Sequence, residues 1–345
     1  MAYTTINKPS DYFNTVTYTG NATNPRAVTG VGFQPDLVWI KDRDNIYNHQ
    51  VHDAIRGVDK ALIPNNTSAE ADYNSFVSFD SDGFSVTGTN GTNTNSAGLV
   101  AWNWLANNTS GSSNTDGSIT STVSANTTSG FSIVSYTGTG AIATVGHGLG
   151  AVPKMLIIKN RDDGSGHWRV YHASIGATVY CDLDNTGAAG PSSNVFNNTT
   201  PTNSVFSLGS DSRANGSGNA QIAYCFAEKK GFSKFGSYTG NNSSDGPFIY
   251  TGFKPAFVIL KRTDGSANWQ LNDSARDTFN VVNKRLSPSA SDAEATNFNF
   301  GDFLSNGFKI RQTDQTWNAS GGNYIYMAFA ENPLVTSTKL PATAR

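Results

Sequence analysis

Charged side chains are scarce in this 345-residue chain: Asp, Glu, Lys and Arg make up 14% of it, against roughly 25% in a typical soluble domain. The 24 basic and 26 acidic residues nearly cancel, leaving a formal net charge of −2. With no basic run, the chain lacks the clustered patch that nucleic acid or anionic lipid requires, so neither is an expected partner. No apolar stretch approaches the roughly 18 residues of a membrane helix, so membrane insertion is not expected. The opening Met1–Asn7 (MAYTTIN) has no charged region followed by an apolar core, and no secretory leader is read there. Cysteine is limited to Cys181 and Cys225, both in strand-like apolar contexts (VYCDL and AYCFA). Two cysteines do not make a disulfide scaffold; buried free thiols are the expected state, and the redox state stays open.

Asn, Thr, Ser and Gly fill the space that charge leaves. These residues supply the backbone angles of turns and disfavour helix interiors. The composition therefore points to many short strands joined by turns.

An internal repeat organises the chain. Phe13-Asn-Thr-Val-Thr-Tyr18-Thr-Gly20, Phe131-Ser-Ile-Val-Ser-Tyr136-Thr-Gly138 and Phe232-Ser-Lys-Phe-Gly-Ser-Tyr238-Thr-Gly240 begin three similar segments. Seventeen residues after each tyrosine stands a proline (Pro35, Pro153, Pro255), and six residues later a lysine (Lys41, Lys159, Lys261) closes an apolar run. The match continues through Val51-His-Asp53, Val170-Tyr-His172 and Leu271-Asn-Asp273, then Phe84, Phe206 and Phe308. It ends in the closing runs Leu99–Trp104, Gln221–Phe226 and Tyr324–Phe329. The proline-to-lysine run has apolar residues at successive positions, so both its faces should be buried, as in a central strand of two packed sheets. Proline at its first position is where a strand tolerates a missing donor.

The expected fold is thus all-β: three tandem antiparallel β-sandwich domains of jelly-roll or lectin-like type, with little helix. The expected division is repeat 1 over residues 1–107, a polar linker over 108–129, repeat 2 over 130–229, repeat 3 over 230–335 and a tail over 336–345. Repeats 2 and 3 abut without a spacer. The Gly/Ser/Thr/Asn-rich linker is expected to be flexible or to run extended over a surface, with repeat 1 standing apart from the other two across it.

Catalytic constellations fare poorly. His147, in Gly146-His-Gly-Leu-Gly150, runs straight into a proline strand and reads as a turn rather than a phosphate loop. His49 and His52 lie three apart, on opposite faces of a strand, so no metal pair forms and no metal is expected. The pairs Asp42/Asp44, Asp80/Asp82 and Asp162/Asp163 sit in turn-like strings, where aspartate caps its own backbone. No cofactor and no enzymatic activity are expected. Trp39, Trp102, Trp104, Trp168 and Trp269 occupy strand or repeat-matched positions and read as core. Trp317 and Tyr47 fall in polar loop-like stretches, and these two are the candidate ligand-binding residues.

The assembled motifs are Tyr-Thr-Gly, Gly-X-X-Pro-X-apolar₄-Lys-X-Arg and a closing Tyr-Ile-Tyr-Met-Ala-Phe-Ala-Glu. With them, almost the whole chain resembles repeat-containing virion proteins (tail fibre or concanavalin A-like lectin-type) of tailed bacteriophages that infect cyanobacteria and other aquatic bacteria. Ala227-Glu228 and Ala330-Glu331 are typical of that family. Repeat 3 departs from Lys-X-Arg with Lys261-Arg262, and repeat 1 closes on Trp102-Asn-Trp104 without Ala-Glu. No catalytic residues travel with the resemblance. It implies a non-enzymatic virion protein, made in the host cytoplasm: a tail fibre or spike contributing to host-surface glycan recognition or, alternatively, a capsid decoration or head-spike protein with a purely structural role. Expected partners are other virion proteins, host envelope polysaccharide and further copies of the chain.

Overall fold

The computed structural model describes residues 4–333. The end of repeat 3 and the expected tail at 336–345 lie outside the described residues.

Repeat 1 contributes β1 (Phe13–Thr19), β2 (Arg26–Thr29), β3 (Leu37–Asp42), β4 (Gln50–Asp53), β5 (Lys60–Ala61), β6 (Ala71–Asp72), β7 (Phe76–Asp80), β8 (Gly83–Val86) and β9 (Gly98–Trp104). Its larger sheet has the order β1-β9-β3-β4 and its smaller one β2-β8-β7. Then come β10 (Ser112–Asn114) and β11 (Ser121–Asn126). Repeat 2 is β12 (Phe131–Thr137), β13 (Ala143–Gly146), β14 (Pro153–Asn160), β15 (Arg169–His172), β16 (Val179–Asp182), β17 (Gly190–Pro191), β18 (Val205–Leu208) and β19 (Ala220–Ala227). Repeat 3 is β20 (Ser233–Thr239), β21 (Phe248–Tyr250), β22 (Phe253–Arg262), β23 (Gln270–Asp273), β24 (Gly301–Leu304), β25 (Gly307–Ile310) and β26 (Asn323–Pro333). The orders β12-β19-β14-β15 and β20-β26-β22-β23 repeat the topology of the first sheet. The chain is nearly all-β and its sheet pairings are antiparallel; helix is confined to short turns such as Ser193–Phe196, Ser212–Asn215 and Gln315–Asn318. Among the described residues no helix is long and apolar enough to cross a membrane.

The proline-to-lysine strands are buried on both faces because two different cores meet them. Leu37 and Trp39, Met155 and Ile157, and Phe257 and Ile259 all enter one shared core. Their sequence neighbours point the other way, into three separate cores beneath the smaller sheets: Val38 and Ile40, Leu156 and Ile158, Val258 and Leu260. This is the period-2 alternation of a strand, applied between two apolar layers. The shared core is rich in aromatics. Trp104 lies 4.9 Å from Phe13, 6.4 Å from Phe226 and 6.0 Å from Phe329, ring centroid to ring centroid, so it touches all three repeats.

Two expectations need correction here. Residues 108–129 are not a loose spacer: β10 pairs with β11, and β11 pairs with β12 along the edge of the second sheet. Thr and Val favour strands, and the small Ser and Ala between them let the segment lie flat against a neighbour. Nor does repeat 1 stand apart, since it shares the central core with both others.

The Tyr-Thr-Gly motif now has a physical basis. Tyr18, Tyr136 and Tyr238 each donate the phenol hydrogen to a main-chain carbonyl, of Thr92 (2.6 Å), Ala214 (2.6 Å) and Trp317 (2.8 Å). The asparagine after each accepting carbonyl (Asn93, Asn215, Asn318) accepts in turn from the backbone just beyond the motif. Gly20, Gly138 and Gly240 lie where a Cβ would fall 1.9–2.3 Å from a carbonyl oxygen, so no side chain fits.

Candidate functional site

The features that distinguish this fold lie where one repeat meets the next. After its fourth sheet strand each repeat sends out a strap, residues 60–72, 179–191 and 284–296, which lies on the following repeat. Straps 1 and 2 carry the short ladders β5–β6 and β16–β17, and strap 3 a single Arg285↔Ala295 bridge. The N–H groups of Glu70, Ala189 and Glu294 donate to Arg161, Thr263 and Arg43 carbonyls, respectively. The indole of Trp168 donates to the Ile63 carbonyl (3.0 Å) and that of Trp269 to the Asp182 carbonyl (2.8 Å). At the third junction His49 replaces the indole and meets the Ser287 carbonyl at 3.1 Å. Trp39 Nε1–H donates to His49 Nδ1, so the proton of the neutral ring sits on Nε2, facing Ser287. Repeat 1 thus clasps 2, 2 clasps 3 and 3 clasps 1, and the chain closes into a ring.

Two of the three junctions carry a charged triad. Arg161 grips Glu70 with two bonds (2.9 and 2.7 Å), and Arg56 adds a third at 3.0 Å. Arg43 and Arg276 hold Glu294 in the same way (2.9, 2.7 and 2.9 Å). Burial alone would raise the Glu294 carboxyl, but the two guanidiniums outweigh it and hold the group below its ordinary value. Arg56 and Arg276 also pair with Asp53 and Asp273, whose carboxylates accept from Tyr224 Oη–H (2.7 Å) and Trp102 Nε1–H (3.0 Å) of the next repeat.

The junction between repeats 2 and 3 has lost the whole set together. His172 replaces the aspartate, Ile175 the arginine that precedes the strap, Ala189 the glutamate, Thr263 the receiving arginine and Met327 the Tyr/Trp donor. A lone charge left there would be buried without a partner, so the five positions change as a unit. The departure from Lys-X-Arg at Lys261-Arg262 is its one visible sign in the sequence: Arg262 turns instead to its own Asp264, at 2.8 Å.

Trp317 is fully buried, not exposed, and packs near Phe298 and Phe300 in the outer core of repeat 3. It occupies the repeat position of Thr92 and Ala214, and the polar residues around it cap turns: Asp314 accepts from Thr316 N–H, and Asn318 donates to the Gln312 and Ser243 carbonyls. The missed signal is an asparagine five residues before the closing strand of every repeat (Asn93, Asn215, Asn318). Tyr47 is half-buried in the loop between β3 and β4, beside the 73%-exposed Ile46; repeats 2 and 3 carry neither residue in that loop. The two candidates lie in different repeats, and the fold does not gather them into one site.

The aspartate pairs act on turns, some on their own and some on a distant one. Asp42 accepts from Asp44 and Asn45 N–H, Asp82 from Gly30 and Gly32 N–H, and Asp80 from the Ser78 and Ser85 hydroxyls. Three surface hollows of about 100, 300 and 420 Å³ hold one carboxylate each, Glu331, Asp277 and Glu228. Each already has a protein partner, in Lys254, the Asn283 and Lys284 N–H groups, and Lys234. Among the described residues no group of three or more His, Cys, Asp or Glu is placed to hold a metal ion. Cys181 and Cys225 are free and buried, and burial pushes both thiols up to about 12.

The buried histidines set a pH dependence. Burial pushes His52 down to about 3 and His172 to about 4, and lowers His49 and His147 as well. In the unfolded chain the same rings take up protons near pH 6.5. Below that pH the unfolded state binds protons that the folded state refuses, so stability falls as pH drops from about 6.5 towards 4. Asp36, raised to about 6 by burial, works in the opposite sense between pH 6 and 4, but it is one group against four. The urea midpoint at pH 5 is expected below that at pH 7, the free energy of unfolding falling by roughly 1 kcal/mol per pH unit for each uncompensated ring. Equal midpoints would contradict neutral buried imidazoles.

A family model described as a domain of unknown function, DUF7483, matches residues 8–333, and the chain belongs to that family. The match runs through all three repeats. No curated protein matches the chain.

Proposed function

We propose that this member of the DUF7483 family is a non-enzymatic structural component of a tailed-phage virion, made in the host cytoplasm. In this reading three lectin-like β-sandwich units, closed into a ring, occupy a position of local threefold symmetry on the particle. The observation that carries it is the cyclic exchange of straps: the contact from repeat 3 back to repeat 1 closes the ring within a single chain. A closed head-to-tail ring presents three related outer faces and does not propagate into a filament, which suits a decoration or spike seated among symmetric neighbours. The sequence resemblance supports a virion setting. Surface hollows whose single carboxylates are already partnered support a non-enzymatic role.

The test is cryo-electron microscopy of intact particles carrying a tagged chain. Density at a threefold or pseudo-threefold site of head or tail is the expected result, and particles from which the chain is absent would end the reading.

The exposed Ile46 beside Tyr47, a pair unique to repeat 1, favours a second reading: a tail fibre or spike that contacts host envelope glycan through that loop. Under the first reading Tyr47→Ala leaves particle adsorption to host cells unchanged. A loss of about tenfold or more, equivalent to about 1.4 kcal/mol, would favour the second.

A further inference from the structure

The three large sheets share a topology but not an edge. In repeat 2 the outer strand β12 is covered by β11, which pairs with it from Ser121↔Tyr136 to Asn126↔Phe131. The other edge of β11 carries β10, and one face of β11 meets the end of β13 and the turn after it: Ser121 Oγ donates to the Gly146 carbonyl at 2.9 Å, and Gly148 leaves room for Val123 and Ala125. The strand thus closes the open side between the large and small sheets. In repeat 1 the same path is crossed by the Asn14 side chain, whose Nδ2 donates to the Val31 carbonyl at 3.0 Å.

Among the described residues, the path in repeat 3 is a groove of about 420 Å³, running from Ser233 and Lys234 on β20 to Tyr250 and Thr251 at the end of β21. These residues occupy the repeat positions of Phe131, Ser132, Gly146 and His147, the ground that β11 covers in repeat 2. Accordingly Ser135 on β12 is half-buried, whereas its counterpart Ser237 on β20 is exposed, and Tyr250 is 57% exposed where Gly146 is buried.

The edge is polar and correctly phased. Ala330 N–H donates to the Phe232 carbonyl and Gly240 N–H to the Gly322 carbonyl, so the even-numbered residues of this strand face β26. The N–H groups of Ser233, Phe235, Ser237 and Thr239 therefore point outward. The chain's own groups meet the first two: Ser233 donates to the Lys229 carbonyl and Phe235 to the Glu228 carboxylate, at 3.3 Å. Glu228 stands where the carbonyl of an added strand would stand.

We propose that the β20 edge is an acceptor for an extended, Ser/Thr/Ala-rich segment of a partner polypeptide, which adds to repeat 3 the strand that β11 adds to repeat 2. Main-chain hydrogen bonds supply the affinity of such strand addition, and the narrow groove selects small side chains at alternate positions. The template is internal to the molecule, since β11 reads Ser-Thr-Val-Ser-Ala-Asn.

The probe is a synthetic peptide with the sequence of residues 117–127, added to the full chain and read by amide hydrogen exchange. At about millimolar peptide, exchange at Ser237 and Thr239 is expected to slow by about tenfold or more. Ser237→Pro removes one outward donor and leaves the ladder to β26 intact, as proline on a sheet edge allows. It is expected to abolish the response with the melting temperature nearly unchanged. No slowing, or slowing that survives Ser237→Pro, overturns the proposal. Slowing seen only after residues 334–345 are deleted would make the chain's own end the occupant, and slowing that rises with protein concentration alone would make it a second copy. Either result also overturns the proposal.

Discussion

Trp104→Ala lowers the free energy of unfolding by about 3–5 kcal/mol, and every probe of unfolding records the loss in one shared transition. Trp104 is 2% exposed, and its ring meets Phe13 of its own repeat, Phe131 and Phe226 of repeat 2, and Phe257 and Phe329 of repeat 3. Truncation removes contacts from all three repeats at once and leaves a void that none can collapse into alone. Trp104→Phe should cost far less. Phenylalanine already stands at the matching positions 226 and 329, and the substitution removes an indole N–H that is buried without a partner. Far-ultraviolet circular dichroism and the fluorescence of the other tryptophans, followed through a urea titration, make the measurement. Three resolved transitions, with only the first shifted by Trp104→Ala, would show independent domains rather than one ring.

Glu70→Ala should be nearly as damaging. It leaves Arg56, wholly buried, and Arg161, mostly buried, facing each other without the carboxylate between them. Breaking a buried ion pair by removing one partner costs about 3–5 kcal/mol; here Arg161 loses the carboxylate it grips, while Arg56 keeps Asp53 as its counter-charge. The molecule itself contains the control. Replacing Asp53, Arg56, Glu70, Arg161 and Tyr224 with His, Ile, Ala, Thr and Met copies the neutral junction between repeats 2 and 3 onto that between 1 and 2. The five-fold variant should recover most of the stability lost by Glu70→Ala in urea unfolding, although it carries four more substitutions. If it is less stable than Glu70→Ala, the two kinds of junction are not interchangeable solutions to one packing problem.

Much of the scaffold was legible in the residues. The fixed spacing from Tyr18, Tyr136 and Tyr238 to proline and then lysine located the central strands. Their unbroken apolar runs announced burial on both faces, although not that the two faces belong to different cores. Asp42, Asp80 and Asp163 read correctly as local caps because their bonds stay within a few residues of chain, whereas Asp44, Asp82 and Asp162 tie their turns to backbone far along the chain, which no local pattern announces. Trp317 misled for another reason. Its polar neighbours are the signature of an exposed loop, yet Asp314 and Asn318 spend their polarity on nearby backbone, and the ring turns inward. Residues 108–129 misled similarly: their composition fits a free linker, and only the presence of the β12 edge makes them strands.

The sequence by itself determined the three-fold repetition, the all-β character and the positions of the core strands, because each follows from periodicity and spacing along the chain. Only the tertiary structure decided that the copies close into a ring around one aromatic core. The straps reach across through the carbonyls of Ile63, Asp182 and Ser287, groups that every residue carries and that leave no mark in a sequence. The charged triads join Glu70 to Arg161 and Glu294 to Arg43 across 91 and 251 residues. At that range nothing local in the chain pairs them, and the fold alone brings them within a hydrogen bond.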